Sequence, residues 1–328
     1  MKLLALDFGG SSVKFSLIDE NKVRTNEGKL PPPKESREAF GGTIQKLSQR
    51  FRNKIEGIAI SMPGYIDPVT GYIDGAGSYF AMMHTNLYEF MKEYVDVPVA
   101  VENDGKSAAL AEVWDGALKD VDYGCVCVIG TGIAGGIVKN GKVFRGIRNM
   151  AGEFSAMGFT PDVDFKNTAA YTSAMLGLTM KANLALGIDL KKTEYAEMAA
   201  MYDIKNDFLG PMNEDPRYPI GIDGKMFFRL LDEGNTRIES IYREFIKNLA
   251  TSLMTIQGIL DTEVIALGGA VIQQERIIPD LQEQVKKFDA ALGGGLLPHI
   301  NIRRCRYSYY ANEIGAVYNW LQLHKKIF

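Results

Sequence analysis

The chain has 328 residues, of which 46% are hydrophobic and 23% charged; this composition argues against a disordered chain and, at this length, predicts two folded domains. The 37 Lys and Arg residues and 40 Asp and Glu residues give a net charge of -3, which excludes a strongly basic nucleic-acid-binding footprint. Three cysteines are too few for a disulfide scaffold, so a reducing, cytoplasmic compartment is expected. Since neither a signal peptide nor a run of about 18 apolar residues is present, we expect no membrane partner.

The chain opens with a predicted β-hairpin, and a later segment has the same plan. Residues 3–17 comprise an apolar run, a stretch of turn formers and a run in which apolar and polar residues alternate. Residues 125–138 repeat this arrangement around a Gly-Thr-Gly turn, and Asn140-Gly141 after them is a strong signal for a type I′ turn. Two such hairpins, far apart in the chain, predict two halves built on one plan.

Strands and helices alternate through the rest of the chain. Strands are predicted over 55–60, 97–101 and 264–267, and helices over 35–51, 106–114, 236–260 and part of 169–186, with a loop near 206–222. This alternation predicts sheets with helices on their faces, and ligands bind beyond the carboxyl ends of the strands in such folds. Both glycine turns, Asn103-Asp104 and Gly268-Gly269 lie at such ends.

The two glycine turns are candidate phosphate-binding loops. Glycines let backbone N–H groups approach a phosphate, and an acid such as Asp7 beside the phosphates can hold Mg²⁺ directly or through water. Lys14 could add positive charge. Each turn alone is equally consistent with a plain hairpin. The second turn is neither a dinucleotide fingerprint, because no helix follows it, nor a P-loop, because it lacks Gly-Lys-Ser/Thr.

Residues 102–104, Glu-Asn-Asp, end a predicted strand and begin a helix. Taken alone, Asn103 or Asp104 is best interpreted as the N-cap of that helix, since both residue types are preferred there. The functional alternative is that Asp104 is a general base that takes the proton of a sugar hydroxyl as it attacks phosphorus, while Asn103 holds a neighbouring hydroxyl. Amides and carboxylates suit sugar recognition because vicinal hydroxyls donate and accept at once.

Six motifs occur in the order found in ROK-family sugar kinases, and the chain resembles that family from residue 3 to about Gly315. The motifs are Asp7-Phe8-Gly9-Gly10-Ser11-Ser12-Val13-Lys14, Pro63-Gly64, Glu102-Asn103-Asp104 with residues 108–112, Ile129-Gly130-Thr131-Gly132-Ile133 with Gly135-Gly136, Ala151-Gly152-Glu153, and Leu267-Gly268-Gly269. Six motifs in this order are very specific.

The resemblance implies a fold, an activity and a set of site residues. The expected fold is α/β, a duplicated actin-like/hexokinase (ribonuclease H-like) fold with two domains around a cleft, residues 1–118 and 119–311, and a helix near 312–328 that packs back on the first. The expected activity is sugar phosphorylation by ATP, with Asp104 as catalytic base, Mg²⁺ held by Asp7 directly or through water, and a homodimeric assembly. Implied sugar-binding residues are Gly64, Asn103, Asp104 and Glu153, and implied ATP-binding residues are Asp7, Gly9, Gly10, Ser11, Ser12, Lys14, Gly130, Thr131, Gly132, Gly268 and Gly269.

The chain departs from the family where many members bind a structural zinc. Those members have Gly-Glu-Ile-Gly-His followed by a cysteine cluster, whereas here Ala156 replaces the histidine and residues 160–167 contain no cysteine. No zinc site is therefore expected. Cys125 and Cys127 are interpreted as buried structural cysteines.

The family also supplies a Glu just after the zinc cluster that meets the anomeric side of the sugar, and none occurs near residues 169–171. We therefore hypothesise that the enzyme accepts sugars substituted at the anomeric position, such as β-glucosides, and phosphorylates their 6-hydroxyl. A glucokinase or an N-acetylmannosamine kinase is the alternative. A ROK transcription regulator is disfavoured because the first strand begins by Leu3, leaving no room for a helix-turn-helix, and a catalytically dead sugar-binding protein is disfavoured by the intact Asp7 and Asp104.

Overall fold

The computed structural model describes residues 1–158, 160–161, 164–202, 204, 221–295, 300–307 and 309–325. The strands are β1 (Lys2–Phe8), β2 (Val13–Asp19), β3 (Arg24–Leu30), β4 (Gly57–Met62), β5 (Tyr65–Asp67), β6 (Tyr72–Gly75), β7 (Thr85–Asn86), β8 (Val99–Asn103), β9 (Tyr123–Ile129), β10 (Ile133–Lys139), β11 (Lys142–Phe144), β12 (Val264–Gly268) and β13 (Ile302–Arg304). The α-helices are α1 (Arg37–Arg50), α2 (Leu87–Met91), α3 (Asp104–Asp115), α4 (Ala169–Thr172), α5 (Met175–Ala185), α6 (Ala196–Met201), α7 (Gly224–Asp232), α8 (Thr236–Leu260), α9 (Ile277–Ala291) and α10 (Ala311–Lys325).

Two five-stranded sheets with one topology form the centre of the fold. The strand order is β3-β2-β1-β4-β8 in the first sheet and β11-β10-β9-β12-β13 in the second. In both, the first three strands along the chain form an antiparallel meander, and two later strands extend the sheet in parallel from the first of them. The duplication expected from the two glycine hairpins is therefore observed.

Helices α3 and α10 lie between the two sheets. Helix α10 contacts β1, β4 and β8 and packs along α3, which in turn contacts β9, β10 and β11. Apolar side chains of both sheets and both helices form one buried cluster, among them Leu3, Ala59, Ala109, Val126 and Val317. Because both sheets pack on the same helix pair, this layer sets their relative position.

The outer face of each sheet has a core of its own. Helices α1 and α2 and the small sheet β5-β6-β7 cover the first sheet, while α5, α7, α8 and α9 cover the second. Strand β1 is buried on both faces, with Leu3 and Ala5 in the middle layer and Leu4 and Leu6 in the outer core. That double burial explains its continuous apolar run.

Helix α8 has the bounds that the sequence predicts. The Asn235 side chain caps it by accepting hydrogen bonds from the N–H groups of Arg237 and Ile238, and it ends at Asp261, which has a left-handed φ of 50°. The predicted Asn140-Gly141 turn is also present, with φ angles of 52° and 66°. Within the described residues, no helix combines the length and apolarity that crossing a bilayer requires.

Several strand boundaries differ from their predictions, among them those of β4, which spans Gly57–Met62 instead of 55–60, and those of β1 and β8. Strand β1 continues through Phe8, into the stretch assigned to the turn, because Asp7 pairs with Lys14 in register across the hairpin. Strand β8 begins at Val99 instead of residue 97, since Pro98 has no N–H to donate to the ladder.

Residues 169–186, which were predicted to be helical in part, form two helices, α4 and α5. The break occurs where the N–H groups of Met175 and Leu176 donate to the carbonyls of Gly130 and Thr131. Strand β3 and the sheet β5-β6-β7 were not predicted, and the loop near 206–222 lies almost entirely outside the described residues.

Candidate active site

One cleft collects most of the residues that the sequence assigned to a site. Its volume is about 540 Å³, and it lies where β1, β4, β8 and β9 end. Nine of the fifteen predicted residues line it: Gly9, Gly10, Gly64, Asn103, Asp104, Gly130, Thr131, Gly132 and Glu153. They come from five separate segments of the chain, so it is the fold that brings them together.

Asn103 and Asp104 stand where β8 ends and α3 begins. Asn103 is the N-cap, because its Oδ1 accepts a hydrogen bond from the Lys106 N–H at 3.0 Å. Its Nδ2 donates to the Gly64 carbonyl at 2.9 Å. The capping and functional interpretations are therefore compatible, since the cap fixes a side chain that also lines the cleft.

The surroundings of the Asp104 carboxyl disfavour its ionised form. Burial, with the negative charges of Glu153 and Asp7, raises the pKa of Asp104 to about 6, although the Gly105 N–H and the Lys106 ammonium act in the opposite direction. Such a carboxyl is still ionised at neutral pH and is a stronger base than an ordinary aspartate. It is therefore suited to taking a proton from a hydroxyl.

Glu153 reaches the cleft from the loop after β11. Its Oε1 accepts a hydrogen bond from Lys106 Nζ at 3.2 Å, and Lys106 is completely buried. Gly64 lies on the turn after β4 with φ of 129°, and a Cβ there would lie 1.8 Å from the Gly75 carbonyl oxygen. Only glycine lets this turn pack against β6 beside Asn103.

The first glycine turn is anchored by the Asp7 carboxylate. Asp7 Oδ2 lies 3.1 Å from Lys14 Nζ, and Asp7 Oδ1 accepts a hydrogen bond from Asn312 Nδ2 at 3.0 Å. Asp7 is buried behind the cleft, whereas Asn312 lines it. The Tyr79 hydroxyl donates to the Gly9 carbonyl at 2.8 Å. The turn is thus held by groups from β2, α10 and the segment after β6.

Ser11 and Ser12 complete this turn without lining the cleft. The Ser12 carbonyl accepts the Gly9 N–H at 3.0 Å, and Ser11 is exposed at the tip. Their predicted contacts with ATP stay predictions.

The second glycine turn is supported from two sides. The Gly130 N–H donates to the Gly132 carbonyl at 2.9 Å, while the carbonyls of Gly130 and Thr131 accept the first N–H groups of α5. Ser155 Oγ accepts the N–H of Ile133 at 2.9 Å. These bonds fix a turn that would otherwise be a free loop between β9 and β10.

Gly268 and Gly269 lie outside the lining of the cleft. Both are buried at the end of β12, and a Cβ on Gly269 would lie 2.1 Å from the Ile129 carbonyl oxygen. The close packing against β9 therefore explains by itself why residue 269 is a glycine. The predicted contact of these two residues with adenosine stays a prediction.

A magnesium ion fits beside Asp7. Each Asp7 oxygen accepts one hydrogen bond and retains a lone pair, and Mg²⁺ is commonly bound by one or two carboxylates, water and substrate phosphates. A zinc site is a different matter. The part of the chain that the structure describes contains no cluster of three or more His, Cys, Asp or Glu side chains placed to hold a metal ion.

The sequence analysis missed several residues at the site, among them Tyr79, Lys106, Ser155 and Asn312. Asn312 bonds to a partner 305 residues away, and no local pattern signals such a contact. Lys106 did carry a signal, because a cation in the first turn of a helix opposes the helix dipole and therefore needs a reason.

Comparisons with known proteins agree on one group. The sequence matches the ROK family over residues 3–164 and 199–321. A β-glucoside kinase from Listeria monocytogenes is 30% identical over 331 aligned positions, which cover 98% of each chain. A crystallised ROK family protein from Streptococcus pneumoniae in complex with sucrose is 26% identical, with a TM-score of 0.77 over 100% of both chains. A ROK family glucokinase from Streptomyces griseus in complex with glucose and AMPPNP has a TM-score of 0.76 at 21% identity, covering 96% of this chain and 98% of that one.

Proposed function

This chain belongs to the ROK family and is an ATP-dependent sugar kinase, and on that premise we propose that it phosphorylates the 6-hydroxyl of a hexose or β-glucoside with Asp104 as general base. Its fold is the duplicated actin-like/hexokinase fold that the sequence led us to expect. The observation that carries the proposal is the convergence of the predicted phosphate-side glycines and sugar-side residues on one cleft, with Asp104 among them.

Asp104 would act on the acceptor hydroxyl. Its carboxylate takes the proton of the 6-hydroxyl as that oxygen forms a bond to the γ-phosphorus of ATP, and the bond from phosphorus to the ADP oxygen breaks. The products are the sugar 6-phosphate and ADP, with the proton left on Asp104. General base catalysis of this kind contributes about 10²- to 10⁴-fold to the rate.

The two glycine turns would receive the phosphates of ATP. Backbone N–H groups of Gly10, Thr131 and Gly132 would donate to phosphate oxygens, since those of Gly9 and Gly130 are engaged within the turns. Asp7 would hold Mg²⁺, which when bound neutralises phosphate charge. Positioning and electrostatic stabilisation are the main requirements of phosphoryl transfer, and rigid turns meet both.

Asn103, Glu153 and the Gly64 loop would bind the sugar hydroxyls. The preference for β-glucosides rests on the relative from Listeria monocytogenes and on two features of the sequence. The zinc motif is missing at Ala156 and residues 160–167, and no Glu occurs near residues 169–171 to contact the anomeric oxygen. An anomeric side with fewer contacts leaves space for a substituent.

The substrate is tested by measuring ADP release with Mg-ATP across glucose, mannose, N-acetylglucosamine, N-acetylmannosamine, cellobiose and gentiobiose. We expect turnover of the disaccharides, with the phosphate on C6 of the non-reducing glucose by NMR. A strong preference for free glucose would refute the β-glucoside assignment, and turnover of none of these sugars would refute the proposed substrate class.

The role of Asp104 is tested with Asp104→Asn, which keeps size and the hydrogen bond from Gly105. We expect kcat to fall about 10²- to 10⁴-fold with the fold intact by circular dichroism. The matched control is Asp223→Asn at the N-cap of α7, outside the cleft, where Asn also caps and activity should not change. Full activity of Asp104→Asn would eliminate it as the base.

A further inference from the structure

Lys106 is a buried cation at a position where two effects disfavour it. Its side chain is completely buried, and it lies in the first turn of α3, three residues after the N-cap Asn103. A positive charge is destabilising at the positive end of the helix dipole, and removing an ammonium group from water costs free energy unless it is well paired. The contacts of its ammonium group therefore need to offset both effects.

Both side-chain partners of Lys106 line the cleft. Its Nζ lies 3.2 Å from Glu153 Oε1 and 3.4 Å from Asn103 Oδ1. Lys106 itself does not line the cleft, so it cannot be a substrate contact. It can act on the sugar only through these two side chains.

These contacts decide which atoms the cleft presents. Asn103 Oδ1 is engaged by the N–H and the ammonium of Lys106, and one proton of its Nδ2 is engaged by the Gly64 carbonyl. One N–H of Asn103 is left to donate. Glu153 Oε1 is engaged by Lys106, so Oε2 is left to accept. One donor and one acceptor match a pair of sugar hydroxyls, of which one accepts and the other donates.

We propose that Lys106 is a positioning residue for the sugar, which holds Glu153 as an oriented acceptor and Asn103 as an oriented N–H donor. This inference rests on the proposed function, in which Asn103 and Glu153 bind the sugar. Under this proposal Lys106, which the sugar does not touch, determines that Asn103 donates and Glu153 accepts the hydrogen bonds with the sugar.

The test is Lys106→Met, which keeps the unbranched shape of the side chain, one heavy atom shorter, and removes the charge. Binding of cellobiose and glucose without ATP is measured by calorimetry, and KM for the sugar and for ATP by ADP release. Since hydrogen bonds to charged groups are worth more than neutral ones, we expect the sugar dissociation constant to rise about 10- to 100-fold while KM for ATP changes less than about threefold. The matched control, Lys181→Met, breaks the ion pair with Glu244 outside the cleft and should leave both values unchanged.

A second variant keeps the test valid if the unpaired Glu153 carboxylate prevents Lys106→Met from folding. Lys106→Met with Glu153→Gln removes both charges, and its sugar dissociation constant should match that of Glu153→Gln alone within about threefold. Lys106 and Glu153 act as one unit, and Asn103 keeps its shorter hydrogen bonds with the Lys106 N–H and the Gly64 carbonyl. Additive losses in the double variant would overturn the proposal. So would wild-type sugar affinity in Lys106→Met. If the wild-type enzyme bound and phosphorylated no sugar, the proposed function itself would be refuted first.

The pH dependence of kcat distinguishes the proposed positioning role of Lys106 from a purely structural role. Three charged groups face Asp104: Glu153 from the loop after β11, Asp7 from β1, and Lys106 from its own helix. Of these three only Lys106 favours the ionised form of Asp104, in addition to the hydrogen bond from the Gly105 N–H. The acid limb of kcat in Lys106→Met should therefore move to higher pH. A loss of stability with the acid limb and the sugar affinity unmoved would show that Lys106 only supports the fold.

Discussion

The burial that makes Asp104 a better base also makes its ionised carboxylate destabilising to the folded protein. Its carboxyl is disfavoured as an anion by burial and by the neighbouring Glu153 and Asp7, so its pKa of about 6 lies above the unfolded value of 3.8. Such a group stabilises the fold below about pH 4, and that contribution is lost as the pH rises through 6. At neutral pH, where the base must be ionised to work, its charge opposes folding.

Asp104→Asn should therefore be more stable than the wild type at pH 8. We expect a gain of about 1–2 kcal/mol in the free energy of unfolding, since partial exposure of the side chain screens part of the effect. The gain should shrink below pH 6 and disappear by pH 4. Urea unfolding at pH 4 and pH 8 measures both values, with Asp223→Asn as the reference. If Asp104→Asn and the wild type were equally stable at pH 8, the claim that the ionised Asp104 carboxylate destabilises the fold would be wrong.

The sequence predicted a site residue best when that residue belongs to a short motif of neighbouring residues. Gly9, Asn103 and Gly130 lie at strand ends, and the order of motifs was enough to place them. Lys106 and Asn312 depend on partners across the fold, Glu153 and Asp7, so that their roles follow from packing and not from spacing.

At the scale of elements, the site depends on how closely α3 approaches β10. A Cβ on Gly136 would lie 2.5 Å from Ala109 Cβ, 3.1 Å from the Gly105 carbonyl oxygen and 3.3 Å from Lys106 Cα. The glycine thus serves the packing of the helix that carries Asp104.

Gly136→Ala should push the start of α3 away from β10. We expect a destabilisation of about 1–3 kcal/mol, as for other overpacked cores, together with weaker sugar binding because Asn103 and Asp104 move with the helix. Thermal unfolding and a sugar titration measure these effects. The control is Gly258→Ala on α8, where nothing lies within 4 Å and alanine should stabilise the helix by about 0.5–1 kcal/mol. Unchanged stability and affinity of Gly136→Ala would show that the close approach is not required.

The predicted helices and strands agree best with the structure where the sequence pattern is long and does not depend on distant residues. Helix α8 has both an apolar stripe and a capping Asn235, and its bounds were found without error. The break between α4 and α5 was missed because its cause is the distant carbonyls of Gly130 and Thr131. Strand β3 was missed because its exposed, polar sequence lies at the edge of the sheet and has no apolar face to recognise.

At the scale of the whole molecule, the two sheets meet across the cleft through charged contacts as well as the shared helix layer. Arg145 Nε, after β11, lies 2.9 Å from Glu102 Oε2 at the end of β8, and Lys106 joins Glu153. We propose that the predicted domains, residues 1–118 with the C-terminal helix and residues 119–311, close on the sugar about this region.

Closure should be visible in solution scattering. We expect a smaller radius of gyration for Asp104→Asn, in which turnover is slowed about 10²- to 10⁴-fold, in saturating cellobiose with Mg-ATP than in buffer alone. A sugar that the substrate panel shows to be inert serves as the control for solvent contrast. An identical radius in all three conditions would argue for a rigid cleft. The same samples report the mass, and a value twice that of the chain would support the expected homodimer.

The packing of α10 against the first sheet also bears on how the chain is made. Leu3 and Ala5 are buried in the same cluster as Ile314 and Val317, and the Asp7 partner Asn312 is 305 residues further on. At about 5–20 residues per second, a ribosome needs roughly 15–60 s to cover that distance. Strand β8 completes the first sheet at Asn103, so for most of that time the inner face of the sheet has no helix α10 to cover it. The nascent chain therefore exposes an apolar sheet surface to chaperones long before the kinase cleft can form.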